Sequence, residues 1–168
     1  MTSKPTYQEL LQKIIEQEKE IDQQPENSDN ETASIENLTL LIVEDDELSS
    51  KLLETILKDT FHNIMFATNG IDAIELCKNN LDINLILMDT RMPRMDGITS
   101  MREIRKFNKD VIIISQTAYA MYGDREKMIA WGYDDYISKP IDSNELLNMI
   151  TKYLKIIKTK DNKSSKIL

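Results

Sequence analysis

The chain has little with which to brace itself covalently. Its 168 residues include one cysteine, Cys77, and one histidine, His62. A lone cysteine excludes an intramolecular disulfide, and Cys77 reads as a small core residue. No apolar stretch approaches the roughly 18 residues that a membrane span needs. No Gly-x-x-x-x-Gly-Lys-Ser/Thr loop is present to cradle a nucleotide. The start, Met1-Thr2-Ser3-Lys4-Pro5, lacks the charged-then-apolar pattern of a signal peptide. A cytoplasmic setting is therefore expected.

Hydrophobic residues make up 40% of the chain, enough for a globular core, and the length allows one ordinary domain with tails. The net charge of −8 is unevenly spread. Residues 1–37 hold nine acids against three lysines, whereas residues 154–168 hold five lysines against one aspartate. The segment between them is acidic. That balance argues against nucleic acid as the main partner and suits a domain that binds a cation.

Two patterns divide the chain. Tyr7, Leu10, Leu11, Ile14, Ile15 and Ile21 recur at helical spacing and predict a short amphipathic helix, followed by a polar linker from Asp22 to Asn37. From Leu38 onward, apolar runs of strand length alternate with helical periodicity. The strands read are Thr39–Val43, Ile64–Ala67, Leu85–Met88, Val111–Ser115 and Tyr136–Ser138. The helices between and after them carry Leu48/Leu52/Leu53/Ile56, Ile71/Ile74/Cys77, Ile98/Met101/Ile104, Met121/Arg125/Met128 and Leu146/Leu147/Ile150/Tyr153. Strands one, three and four are apolar almost throughout, as strands buried on both faces should be. The expectation is an α/β fold: a doubly wound (βα)5 domain with a five-stranded parallel sheet over residues 38–157. Residues 1–37 form the helix and linker, and 158–168 a Lys-rich tail.

In such a sheet the ligand site lies beyond the carboxyl ends of the strands. Glu44-Asp45, Asp89, Thr117 and Lys139 all fall at strand ends of that polarity. Three carboxylates close together repel, by about 4 kcal/mol per pair at ~4 Å and an effective dielectric near 20, so a divalent cation is the natural counter-charge. Mg2+ would screen an incoming phosphoryl group, Asp89 could attack phosphorus, Lys139 could hold a phosphoryl oxygen, and the Thr117 hydroxyl could donate to another. The set outlines an aspartyl-phosphate switch.

The motifs then resemble a known family. Leu41-Ile42-Val43-Glu44-Asp45-Asp46, Leu87-Met88-Asp89-Thr90-Arg91-Met92-Pro93-Arg94-Met95-Asp96-Gly97, Thr117-Ala118-Tyr119-Ala120-Met121 and Gly132-Tyr133-Asp134-Asp135-Tyr136-Ile137-Ser138-Lys139-Pro140 resemble the receiver domain of two-component response regulators, in wording closest to the receivers of hybrid sensor histidine kinases. The resemblance covers residues 38 to about 154 and implies a flavodoxin-like fold. It implies Asp89 as phosphoacceptor and Glu44 and Asp45 as metal ligands, joined by Asp89 and the backbone carbonyl of Arg91. It implies Thr117 and Tyr136 as switch residues, Lys139 as the phosphate contact, and a cis bond before Pro140. The partners implied are a histidine kinase or histidine phosphotransfer protein and a downstream protein target. The role is that of a phosphoacceptor that assists its own phosphorylation and dephosphorylation, not of an enzyme acting on a separate substrate. The chain departs from the usual pattern at Gln116, where many relatives are apolar.

Other readings fit less well. A haloacid-dehalogenase-type phosphatase wants Asp-x-Asp, but the second residue after Asp89 is Arg91. A flavodoxin phosphate loop would be repelled by Glu44-Asp45-Asp46. A docking-only pseudo-receiver is opposed by the intact acids, Thr117 and Lys139. Asp46 reads as a helix N-cap, Asp96 as loop structure before Gly97, and His62 as a surface residue in a helix-to-strand connection. Trp131 fits either a partner surface or packing.

Overall fold

The computed structural model describes residues 38–118 and 124–164. The proposed amphipathic helix at Tyr7–Ile21, its linker, Tyr119 and Met121 lie outside these residues. Among the described residues five strands and five helices alternate: β1 (Thr39–Val43), α1 (Glu47–Leu57), β2 (Asn63–Ala67), α2 (Gly70–Asn79), β3 (Ile83–Asp89), α3 (Gly97–Phe107), β4 (Ile112–Thr117), α4 (Asp124–Trp131), β5 (Asp135–Ser138) and α5 (Ser143–Ser164). All strand pairings are parallel, in the order β2-β1-β3-β4-β5. This is the flavodoxin-like order, whose switch point falls between β1 and β3.

Alternation along the strands sorts the core into two layers. Leu40, Ile42, Leu85, Leu87, Ile112, Ile114 and Ile137 face α1 and α5, which contribute Leu53 and Leu57, and Leu146, Ile150 and Tyr153. Leu41, Val43, Ile86, Met88 and Ile113 face the other way, against Ala73 and Cys77 of α2, Met101 and Ile104 of α3, and Met128 of α4. Strands β1, β3 and β4 are thus covered on both faces, which is why their sequences show no polar alternation.

Helix starts follow local chemistry. The Asp46 carboxylate accepts from Ser49 N at 2.7 Å and caps α1, as the sequence predicts. Asp96 does more than occupy a loop: it caps α3, accepting from Thr99 N at 2.8 Å. Asn69 caps α2. Arg105 ties the end of α3 to the base of the sheet. Its guanidinium donates to Val111 O at 2.6 Å and to Asp134 at 2.6 Å, and the same Asp134 oxygen accepts from Ile113 N at 2.7 Å.

Three expectations shift. Strands β3 and β4 each run on into polar residues, to Asp89 and Thr117, because Asp89 still pairs in register with Gln116. On α1, Leu48 is 81% and Leu52 48% exposed, and the buried positions are Leu53 and Leu57. Helix α5 continues through the Lys-rich stretch as far as Ser164.

Candidate functional site

Alternation places Glu44, Asp89 and Gln116 on the face shared by α1 and α5, since each follows residues of that layer by two. Glu44 and Asp89 are buried, and Asp45 beside them is exposed. A carboxylate oxygen from each of Glu44, Asp45 and Asp89 lies within 4.8 Å of the others, so the cluster could hold a metal ion. One exposed acid beside two buried ones, an oxygen-only donor set, fits a hard divalent cation that keeps part of its water shell.

Lys139 reaches the cluster from the end of β5. Its ammonium donates to Asp89 Oδ2 at 2.6 Å and to Glu44 Oε2 at 2.7 Å. The other Asp89 oxygen, Oδ1, accepts from Arg91 N at 3.0 Å. The Lys139–Pro140 bond is cis, as expected, and Lys139 N donates to Thr117 O at 2.7 Å. Burial pushes the Glu44 carboxyl above its ordinary range; Lys139 opposes this and Asp89 adds to it. Burial alone would depress Lys139, but its bonds to Asp89 and Glu44 outweigh that and hold it above the usual lysine value. The two carboxylates depend on one ammonium, and that pairing keeps Lys139 charged.

Thr117 and Tyr136 lie on the opposite face. Ser115, two residues before Thr117, donates to the Met128 sulfur of that layer, and Tyr136 packs against the same layer. Tyr136 is the register partner of Ser115, so it stands one pleat below Thr117 on the neighbouring strand. Thr117 is buried and Tyr136 half-buried.

Close approach dictates Gly97. A Cβ there would sit 2.0 Å from the Asp89 carbonyl oxygen and 3.1 Å from the Met88 side chain. Its N–H donates to Thr90 O at 3.2 Å, which closes the loop carrying Arg91 back onto the strand end.

The structure brings Glu44, Asp45, Asp89 and Lys139 to one rim, with Thr117 at the same edge. His62 is exposed in the α1–β2 connection at the opposite end of the sheet, away from this cluster. Sequence pattern alone does not single out Asp135. It is buried on β5, accepts from the Tyr153 hydroxyl at 3.1 Å and Lys152 at 3.1 Å, and lies 3.4 Å from the Arg125 guanidinium.

Fold and rim together define a small doubly wound α/β domain with a lysine-bridged acidic cluster fit for a metal ion at its switch-point edge. Residues 40–151 match the family described as response regulator receiver domain, and the chain belongs to that family, the receivers of two-component signalling. It is 34% identical over 118 residues to the signal transduction histidine-protein kinase BarA of Escherichia coli, covering 69% of this chain and 13% of that protein. It is 34% identical over 122 residues to the polar-differentiation response regulator DivK of Brucella anthropi, covering 69% of this chain and 95% of DivK. Its fold matches a solved complex of the Saccharomyces cerevisiae histidine phosphotransfer signalling protein Ypd1 with the receiver domain of its downstream response regulator Ssk1. The TM-score there is 0.65 at 29% identity, over 71% of this chain and 90% of that one. No helix among the described residues is long and apolar enough to cross a membrane.

Proposed function

We propose that Asp89 accepts a phosphoryl group from a phosphohistidine on a histidine kinase or histidine phosphotransfer protein. The observation that carries this is the Lys139 ammonium bridging Asp89 and Glu44 inside a three-carboxylate cluster. Mg2+, held by Glu44, Asp45, Asp89 and the Arg91 backbone carbonyl, would screen the carboxylates and the incoming phosphoryl charge. An Asp89 oxygen forms the bond to phosphorus as the phosphorus–nitrogen bond breaks, and the imidazole leaves with the electron pair. Lys139 already sits on Asp89 and needs only a small displacement to contact a phosphoryl oxygen as a point charge.

Thr117 and Tyr136 report the event. The Thr117 hydroxyl moves toward the phosphoryl group and Tyr136 turns into the space it leaves, which reshapes a face for a downstream protein target. The chain acts as a phosphoacceptor that assists its own phosphorylation and dephosphorylation. Its likeness to a segment of BarA favours the receiver portion of a hybrid kinase as its setting, and a cytoplasmic one.

With Mg2+ and a small phosphodonor, intact-mass analysis should show one added phosphoryl group. Asp89→Asn should abolish it, because an amide is not a nucleophile here. Asp45→Ala or a chelator should slow labelling sharply, since ion and phosphoryl group share one site. Undiminished labelling of both variants would overturn the assignment.

A further inference from the structure

One buried polar side chain beside the site stands without a partner among the described residues. Gln116 is 0% exposed, and among the described residues neither its Oε1 nor its Nε2 has a hydrogen-bond partner. Buried amides are almost always paired, and an orphaned one is destabilising. Its position is fixed by its surroundings. Gln116 is the register partner of Asp89 on the neighbouring strand, and its carbonyl accepts from Thr90 N at 3.1 Å. Adjacent strands are about 4.8 Å apart, so Gln116 and Asp89 project side by side from the same face of the sheet.

The resting site has its own donors. Arg91 N serves one Asp89 oxygen, Lys139 serves the other, and Lys139 also serves Glu44. A phosphoryl group on Asp89 changes this. It turns one carboxylate oxygen into an ester oxygen, adds three charged acceptors, and draws Lys139 off the Glu44–Asp89 pair. Arg91 N can still serve the other Asp89 oxygen, so the new demand for donors comes from the phosphoryl oxygens, and Gln116, beside Asp89 on the same face, carries an unused amide donor.

We infer that Gln116 is a positioning residue for the phosphorylated state: its amide is left unpaired at rest and donates to a phosphoryl oxygen on Asp89 once the phosphoryl group is in place. The inference rests on the assignment of Asp89 as phosphoacceptor. Gln116 thereby adds to the preference for the phosphorylated conformation, in a place where an apolar residue would add nothing.

Binding of beryllofluoride with Mg2+, which mimics the phosphoryl group, is measured by calorimetry on the full chain, beside thermal unfolding without ligand. Gln116→Leu should unfold at the same or a higher temperature, because the orphaned amide is gone, yet bind beryllofluoride about tenfold more weakly, equivalent to about 1.4 kcal/mol. Gln116→Met, unbranched and of similar length, should behave the same way and serves if the leucine variant folds poorly. A purely structural role would leave the affinity unchanged, and equal affinity in the wild type and both variants would overturn the inference. A wild type that fails to bind beryllofluoride would bring down the Asp89 assignment, and this inference with it.

Discussion

At Asp135 the balance of forces is legible in its partners. Burial alone would raise its carboxyl, but the bonds from Lys152, the Tyr136 N–H and Tyr153 outweigh that and hold it below the ordinary aspartate value. A carboxylate depressed in the folded state stabilises the fold at every pH above the unfolded value, and that contribution is lost as pH falls through the folded value. Asp135→Asn should therefore cost about 1 kcal/mol near neutrality, discounted because Lys152 and Arg125 are more than half exposed. The difference from wild type should vanish in acid. Urea unfolding of both proteins across the acid range checks the sign. Single residues differ in how openly the sequence shows them. Glu44, Asp89 and Lys139 stand out because each falls at or just past the end of a strand, Glu44 and Asp89 directly after apolar runs. Asp135 sits in a cluster of acids and tyrosines, and only the packing of α5 on β5 reveals which acid is buried.

Elements were legible where burial was two-sided. β1, β3 and β4 announce themselves as unbroken apolar runs, and their ends carry the site. Periodicity was less informative on α1. Leu48 and Leu52 fall on the helical stripe that includes Ile56, but that stripe turns away from the sheet toward its N-terminal end. The burial rests on Leu53, which the sequence pattern includes, and on Leu57, which it does not, with Ile56 partly buried beside them. A helical period shows that a face is apolar without showing how far the neighbouring sheet extends beneath it. The contact between α3 and β3 is another matter that sequence alone leaves open. Gly97→Ala would drive a methyl group into the Asp89 carbonyl, so α3 must move away from the strand end. The expected loss is about 1–3 kcal/mol of stability, accompanied by weaker phosphoryl transfer to Asp89. Thermal unfolding beside a labelling time course measures both. Normal stability and normal labelling would mean that the α3–β3 contact is looser than the structure shows.

Among the described residues, the two-layer core runs from Leu38 to Ile157. We propose that residues 38–157 are the folding unit, that 1–37 are dispensable to it, and that 158–168, helical as far as Ser164, are a tail on it. A chain starting at Asn37 should unfold cooperatively at nearly the full-length midpoint, and loss of cooperativity would contradict this.

We propose that a signal crosses the sheet between the same two layers, since Asp89 faces one and Thr117 and Tyr136 the other. Reversing a population from 1:99 to 99:1 takes about 5.5 kcal/mol, whereas one charge-assisted hydrogen bond supplies about 1.5–3. In the proposed switch, either the active state is detectably populated before phosphorylation or Lys139 and Mg2+ supply the remainder. Thr117→Ala should still accept phosphate but should uncouple the shift at Tyr136, read by NMR with and without beryllofluoride. Identical Tyr136 shifts in both proteins would refute the coupling. Everything in this account depends on where the phosphoryl group sits. Borohydride reduces an aspartyl phosphate to homoserine, so the protein is phosphorylated with Mg2+ and a small donor, reduced, digested and mapped by mass spectrometry. Homoserine at position 89 alone is the predicted result; modification at any other acid, with Asp89 intact, would contradict it.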